Sequence, residues 1–196
     1  MKITAPISAL ILAGGRGSRM GEVDKGLQLF RGKAMVAHVL ERLGPQADEI
    51  IINANRNLAQ YAQFGHRVVP DAIDGFAGPL AGLHAGMRNA SHPLVATAPC
   101  DSPFLPLDLI PRLHAALDDN NADLAVAKTF DQAHPVFCLT KRELAPHLRA
   151  FLDSGQRKID KWYSSLKVVE VQFDDEEAAF ANINTVEELN TLEKSG

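Results

Sequence analysis

The chain has 196 residues, 46% of them hydrophobic and 22% charged, with a formal net charge of −4. That supplies apolar material for one full core, but no basic tract suited to duplex DNA or RNA and no apolar run near the roughly 20 residues of a membrane span. Two cysteines, Cys100 and Cys138, are too few for a disulfide framework or a zinc cluster.

The opening stretch Met1-Lys2-Ile3-Thr4-Ala5-Pro6 lacks the apolar and cleavage regions of a signal peptide, so a soluble cytoplasmic protein is expected. Residues 7–12 are uniformly apolar and too few for an amphipathic helix, which predicts a strand buried on both faces. A glycine-rich, basic loop follows. After a turn at Arg31-Gly32-Lys33, residues Met35, Val36, Val39, Leu40 and Leu43 recur at helical spacing until Gly44-Pro45 stops them. A second strand is predicted over 49–54, a short helix over 58–64 and a third strand over 67–69, running out into Pro70-Asp71. Residues 71–78 read as a loop. Pro79 suits the first turn of a helix that places Leu80, Leu83 and Met87 on one face. Gly82 and Gly86 sit inside that helix at a cost of about 1 kcal/mol each relative to Ala, which points to close approach by a neighbouring backbone or a ligand.

A fourth strand is predicted over 94–98, punctuated by Pro99-Cys100-Asp101-Ser102-Pro103. Asp108 is placed to cap the next helix, whose inner face carries Ile110, Leu113 and Leu117. Residues 123–128 and 134–139 read as further strands. Thr140 to Glu143 matches a capping box, with Pro146 set to break or restart that helix. A helix over 159–163 and a strand over 167–173 follow, then the acids Asp174-Asp175-Glu176-Glu177, read as a solvated turn. A second capping box, Thr185 to Glu188, opens a terminal helix with Val186, Leu189 and Leu192 inward. Strands alternating with helices predict an α/β fold: a single, doubly wound, mainly parallel, Rossmann-like domain over residues 1–196 with helices on both faces. In the order 3-2-1-4, the first and fourth strands meet at the topological switch point.

Three glycine patterns compete for the loop after the first strand. Gly21 and Gly26 have P-loop spacing, but Leu27-Gln28 stand where Lys and Ser/Thr belong. Gly15 and Gly17 begin the dinucleotide fingerprint, but Met20 takes the third glycine's place. The second strand also ends in Asn53 and Asn55, where that pattern expects an acid. The third pattern is Leu12-Ala13-Gly14-Gly15, Arg19-Met20-Gly21 and Asp24-Lys25. It resembles the signature of nucleotidyltransferases that join a nucleoside monophosphate to a phosphorylated acceptor. Gly14 and Gly15 let the backbone approach a nucleotide, and Arg19 and Lys25 set positive charge at an α-phosphate. Asp101, just past the fourth strand, is the candidate Mg²⁺ ligand, unless it only tightens the turn between Pro99 and Pro103. Cys100 is expected to be a buried structural thiol, since no histidine lies near it in sequence to activate it.

Further strings extend the resemblance over nearly the whole chain: Asn53-Ala54-Asn55-Arg56, Gly78-Pro79-Leu80-Ala81-Gly82, Pro99 to Pro103, His134-Pro135 and Asn182-Ile183-Asn184-Thr185. Together they are similar to the molybdenum cofactor guanylyltransferases. The family resemblance implies transfer of GMP from GTP to the molybdopterin form of molybdenum cofactor, with release of pyrophosphate and a need for Mg²⁺. It implies catalytic roles for Arg19, Lys25 and Asp101, and a GTP seat at Leu12, Ala13, Gly14, Gly15, Lys25, Asn53, Asp71 and Asp101. The acceptor side falls on Gly78, Gly82, Asn182 and Asn184, and the metal on Asp101. Implied partners are GTP, molybdopterin, and molybdoenzyme chaperones or a GTP-binding accessory protein, with neither nucleic acid nor membrane. The bland alternative makes Asn53 and Asp71 turn formers and Asn182 and Asn184 helix caps. Glu22 stands where some relatives carry a second glycine. Of the histidines, only His134 is a candidate for testing, with structural use favoured. Two other readings stay open: a cytidylyl- or sugar-phosphate nucleotidyltransferase of the same fold, and a non-catalytic GTP or cofactor carrier. A nicotinamide oxidoreductase is disfavoured by the missing third glycine and ribose acid.

Overall fold

The computed structural model describes residues 5–13, 24–73, 78–181 and 183. Strand β1 (Ile7–Leu12) is followed by a small antiparallel hairpin, β2 (Leu29–Phe30) and β3 (Lys33–Ala34). Its two turn residues, Arg31 and Gly32, have φ of 50° and 75°, the positive pair that a two-residue hairpin turn with the twist of its strands requires. Helix α1 (Met35–Leu43), strand β4 (Glu49–Asn53), helix α2 (Leu58–Ala62) and strand β5 (Arg67–Val69) come next. Then follow α3 (Pro79–Asn89), β6 (Leu94–Pro99), α4 (Leu109–Asp119), β7 (Leu124–Thr129) and β8 (Gln132–Lys141). The last described elements are α5 (Ala145–Asp153), α6 (Ile159–Tyr163), β9 (Val168–Gln172) and a 3₁₀ segment, Asp174–Phe180.

Among the described residues the main sheet has seven strands in the order β5-β4-β1-β6-β8-β7-β9. The first four run parallel, which is the 3-2-1-4 half expected from the sequence. Strand β8 is antiparallel to both neighbours, whereas β9 returns parallel to β7. The cause is local. Phe130 and Asp131 join β7 to β8 as a tight turn, with Phe130 at φ 48°, so β8 folds back and is inserted between β7 and β6.

Adjacent residues of the central strands feed opposite faces, as the period of two demands. Ile11 and Ile52 pack with Val36 and Val39 of α1 and with Ile110 and Leu113 of α4. Leu10 and Ile51 pack with Leu80, Leu83 and Met87 of α3 and with Leu148, Leu152 and Trp162 of α5 and α6. Fully burying each such aliphatic side chain contributes roughly 1.5–3 kcal/mol. This two-sided demand is why β1 reads as an unbroken apolar run.

The glycines inside α3 are explained by side chains, where the sequence pointed to a backbone or a ligand. A Cβ at Gly86 would run into both methyl groups of Leu10, and one at Gly82 into the Asn53 amide oxygen and Leu12 Cδ2. Two local expectations, at Thr140 and Asp108, need correction, while those at Pro146 and at the late acids hold with added detail. Thr140 belongs to β8 and bonds the Asp123 carbonyl, so no capping box forms there. The helix restarts at Ala145 with Pro146 in its first turn, where a missing N–H costs nothing. Asp108 sits at the N-cap of α4 without a side-chain capping bond, its carboxylate 3.7 Å from Arg112 instead. The acids at 174–177 do form an exposed turn, yet Asp174 accepts the Phe130 N–H and Asp175 pairs with Arg112 at 3.0 Å. The expected terminal helix beyond Thr185 lies outside the described residues. No helix among the described residues is long and apolar enough to cross a membrane.

Candidate active site

The carboxyl ends of β4, β1 and β6 are locked side by side. Leu12 is in register with Asn53 on one flank and Pro99 on the other. Just beyond, Ala13 donates its N–H to the Asn53 carbonyl at 2.8 Å, and Cys100 donates to the Leu12 carbonyl at 3.1 Å. Leu12 and Ala13 therefore spend these backbone groups within the sheet, and both stay half-buried at the strand ends. This is the switch point, where open α/β sheets bind ligands. Its two walls carry different chemistry.

On the β6 side, Asp101 is 8% exposed, a burial that an unpaired carboxylate could not sustain. Lys25 supplies the partner, with Nζ 3.1 Å from Asp101 Oδ2. Lys25 heads a 3₁₀ turn, Lys25–Leu27, that follows directly on Asp24. The Asp101 carbonyl accepts the N–H of Ile183 at 3.0 Å, and the Ile183 side chain packs with Phe30, Met35 and Phe104. The late string containing Asn182 and Asn184 is thus tied to Asp101 through the residue between them. Cys100 is buried, and burial together with the Asp101 and Asp24 carboxylates pushes its thiol well above the usual range. That is an inert structural thiol, as expected.

A buried carboxylate at a strand end fits Mg²⁺, which keeps several waters and takes one or two carboxylates alongside substrate phosphates. Among the described residues no three His, Cys, Asp or Glu side chains gather into a metal cage. An all-protein site for a larger or softer ion therefore has no counterpart there.

On the β4 side, the amides form a cradle for Asp71. Asn53, 2% exposed, donates from Nδ2 to the Val69 carbonyl at 3.2 Å and to Asp71 Oδ1 at 2.9 Å. Asn55 donates to Asp71 Oδ2 at 2.9 Å, and its own oxygen accepts the Asp71 N–H at 2.8 Å. Among the described residues each carboxylate oxygen receives one side-chain donor, which leaves a lone pair on each for a second. Asn53 and Asp71 are therefore joined through their side chains, beyond what turn formation requires. Asn55 is a member of this network that sequence reasoning left without a role, although it lies inside one of the family strings.

Gly82 stands directly behind this cradle and leaves room for Asn53 and Leu12. Gly78, exposed and at φ 70°, occupies the N-cap of α3, in a backbone conformation that glycine alone adopts readily. Gly14, Gly15, Arg19, Asn182 and Asn184 lie outside the described residues. The structure brings together Leu12, Ala13, Lys25, Asn53, Asp71, Gly82 and Asp101 around the three strand ends. His134 serves structure: it stacks on Phe180 at 4.6 Å between centroids and bonds Thr129 at 2.7 Å, and burial lowers its pKa.

Comparison with known proteins agrees with this arrangement. A profile of the MobA-like NTP transferase domain matches residues 9–169. The molybdenum cofactor guanylyltransferase of Ralstonia nicotianae is 53% identical over 198 residues, covering 96% of this chain and 97% of its own. That of Cupriavidus pinatubonensis is also 53% identical, over 192 residues and 95% and 96% of the two chains. A crystal structure of molybdopterin-guanine dinucleotide biosynthesis protein A from Archaeoglobus fulgidus has a TM-score of 0.81, covering 96% of this chain and 97% of that one. At 24% identity it speaks for the fold alone. With matches of this identity spanning almost its full length, the chain belongs to the molybdenum cofactor guanylyltransferase family of nucleotidyltransferases.

Proposed function

We propose that the chain, acting as a single domain in the cytoplasm, transfers GMP from GTP to the terminal phosphate of molybdopterin-bound molybdenum cofactor. The products are molybdopterin guanine dinucleotide and pyrophosphate. The observation that carries the reading is the presence, at neighbouring strand ends, of a Lys25–Asp101 charge pair and, across β1, an amide-held Asp71 carboxylate.

Asp71 faces the base. Guanine offers an N1–H and an amino group side by side, two donors matched to the two remaining lone pairs of a fixed carboxylate, and cytosine offers no such pair. Asn53 and Asn55 hold Asp71 in place, Leu12 and Ala13 give the base and ribose an apolar floor, and Gly14 and Gly15 clear room for the nucleotide. Lys25 and Arg19 neutralise the α-phosphate, on which negative charge spreads during attack. An oxygen of the acceptor's terminal phosphate forms the new bond to the α-phosphorus as the bond to the β-phosphate oxygen breaks, and pyrophosphate leaves with that electron pair. The attacking phosphate is already ionised at neutral pH, so no general base is needed and positioning carries the rate. Asp101 would hold Mg²⁺, which when bound supplies charge neutralisation for the triphosphate and the departing pyrophosphate. Gly78, Gly82, Asn182 and Asn184 form the acceptor side, with Gly82 acting through the space it leaves. Molybdoenzyme chaperones or a GTP-binding accessory protein are the protein partners that fit a cofactor-delivering enzyme.

Pyrophosphate release measured with GTP and CTP, each against molybdopterin and a sugar phosphate, tests the reading. GTP with molybdopterin should be preferred by at least about a hundredfold, on the loss expected when buried acceptors go unpaired. A preference for CTP would overturn the assignment of Asp71, and GTP binding without turnover on any acceptor would favour a carrier.

A further inference from the structure

Helix α2 carries a buried hydroxyl that the transfer reaction, as described, does not use. Tyr61 is fully buried, and its hydroxyl donates to Asp24 Oδ1. Asn57, the residue before the helix, donates from Nδ2 to Asp24 Oδ2 at 3.0 Å. Both oxygens of Asp24 are therefore held from one short segment. Asn57 does this from the left-handed region, at φ 53° and ψ 31°, a conformation that costs energy for any residue but glycine. Its carbonyl meanwhile accepts the N–H groups of Gln60 and Tyr61.

Asp24 in turn starts the turn that bears Lys25: its carbonyl accepts the Leu27 N–H at 3.2 Å. Gly26, next in the turn, lies so close to this assembly that a Cβ there would collide with the Tyr61 hydroxyl and stand 3.1 Å from Cys100 Sγ. Cys100 directly precedes Asp101. Burial, reinforced by neighbouring acidic groups, pushes the Tyr61 hydroxyl far above its ordinary range, so it stays a proton donor at any working pH. We propose that Tyr61 and Asn57 are positioning residues for nucleotidyl transfer, clamping both oxygens of Asp24 and so fixing the turn that presents Lys25 to Asp101. This rests on the role given to Lys25 above.

The test measures kcat, KM for GTP and Tm for Tyr61→Phe, Asn57→Gly, Lys25→Ala and the doubles with Lys25→Ala, using pyrophosphate release with a molybdopterin acceptor. Asn57→Gly removes the amide and suits the positive φ. Tyr61→Phe should lower kcat about tenfold and leave KM within about twofold, because it disturbs aim more than binding. In the Lys25→Ala background the same change should cost less than about twofold, since a positioning residue has nothing left to position. Asn57→Gly should follow the same pattern with a smaller loss, and it carries the test alone if Tyr61→Phe does not fold. An equal loss in both backgrounds, or a lowered Tm with kcat unchanged, would overturn the proposal. Full activity in Lys25→Ala alone would overturn the underlying role of Lys25, and the clamp's purpose with it.

Discussion

The two glycines inside α3 make a matched pair of perturbations, because a methyl group at each meets a different neighbour. At Gly86 it would run into Leu10, fully buried in the core. At Gly82 it would meet the Asn53 amide oxygen, Asn53 Cγ at 3.1 Å and Leu12 Cδ2 at 2.7 Å. Helix propensity alone favours Gly→Ala by about 1 kcal/mol. Against this, overpacking a filled core costs typically 1–3 kcal/mol. Gly82→Ala must also displace an amide whose bonds to Val69 and Asp71 are each worth about 0.5–1.5 kcal/mol net. The sum is a net loss of roughly 1–5 kcal/mol for Gly82→Ala and roughly 0–2 kcal/mol for Gly86→Ala. At this chain length each kcal/mol lowers Tm by about 2–4 °C. The two should part in function. Displacing Asn53 loosens Asp71, so Gly82→Ala should raise KM for GTP at least about fivefold, a shift near 1 kcal/mol, while Gly86→Ala leaves it unchanged. Thermal melts and initial rates of pyrophosphate release on both variants check this. If Gly82→Ala melts at or above the parent temperature with an unaltered KM, the link from Gly82 through Asn53 to Asp71 is wrong.

Asp101→Asn keeps the shape and the backbone bond to Ile183 but removes the charge facing Lys25. Turnover should fall at least about a hundredfold with Tm within a few degrees of the parent, and near-parent activity at saturating Mg²⁺ would refute the assignment. His84, 2% exposed and with Nδ1 lacking a hydrogen-bond partner among the described residues, has its pKa lowered by burial and then by the Arg149 and Arg88 charges. Its unfolded counterpart takes up a proton below about pH 6.5, so its contribution to stability is present above that pH and is lost as pH falls through the lower folded value. His84→Leu should therefore lose less Tm than the parent between pH 7 and 5, with His134, also lowered by burial, still contributing in both proteins. Parallel Tm profiles would remove His84 from the account.

Much of the architecture was legible because burial imposes simple patterns. Residues 7–12 and 49–54 read as strands since both faces are covered, and the 3-2-1-4 order brought Asp101 beside Leu12. The reversed β8 was not legible. Its direction follows from a two-residue turn at Phe130-Asp131, which carries neither the glycine nor the asparagine that usually marks positive φ. Thr140 was misread for a related reason: a hydroxyl three residues before a glutamate signals a capping box, yet burial in β8 gave it a strand carbonyl as partner. In the site, Asp101, Lys25 and Asp71 stood out as charges next to turn residues. Asn55, Asn57 and Tyr61 did not, because amides and a tyrosine on an ordinary-looking loop and helix acquire meaning only through the carboxylates they reach.

Gly26 shows what a spacing can conceal. Together with Gly21 it imitates a P-loop, whose glycines exist so that backbone amides can cradle phosphate. Here the absent Cβ makes way for the Tyr61 hydroxyl and the Cys100 side chain, so the glycine serves packing. The exit of β4 then braces two carboxylates from one segment. Asn53 and Asn55 hold Asp71, and Asn57 and Tyr61 hold Asp24. On the proposed reading, recognition of the base and presentation of the charge are thus attached to a single piece of backbone while using separate side chains. Substitutions at its start should shift nucleotide preference, and substitutions at its end should shift rate. A shift of the whole segment relative to β4 should affect both at once.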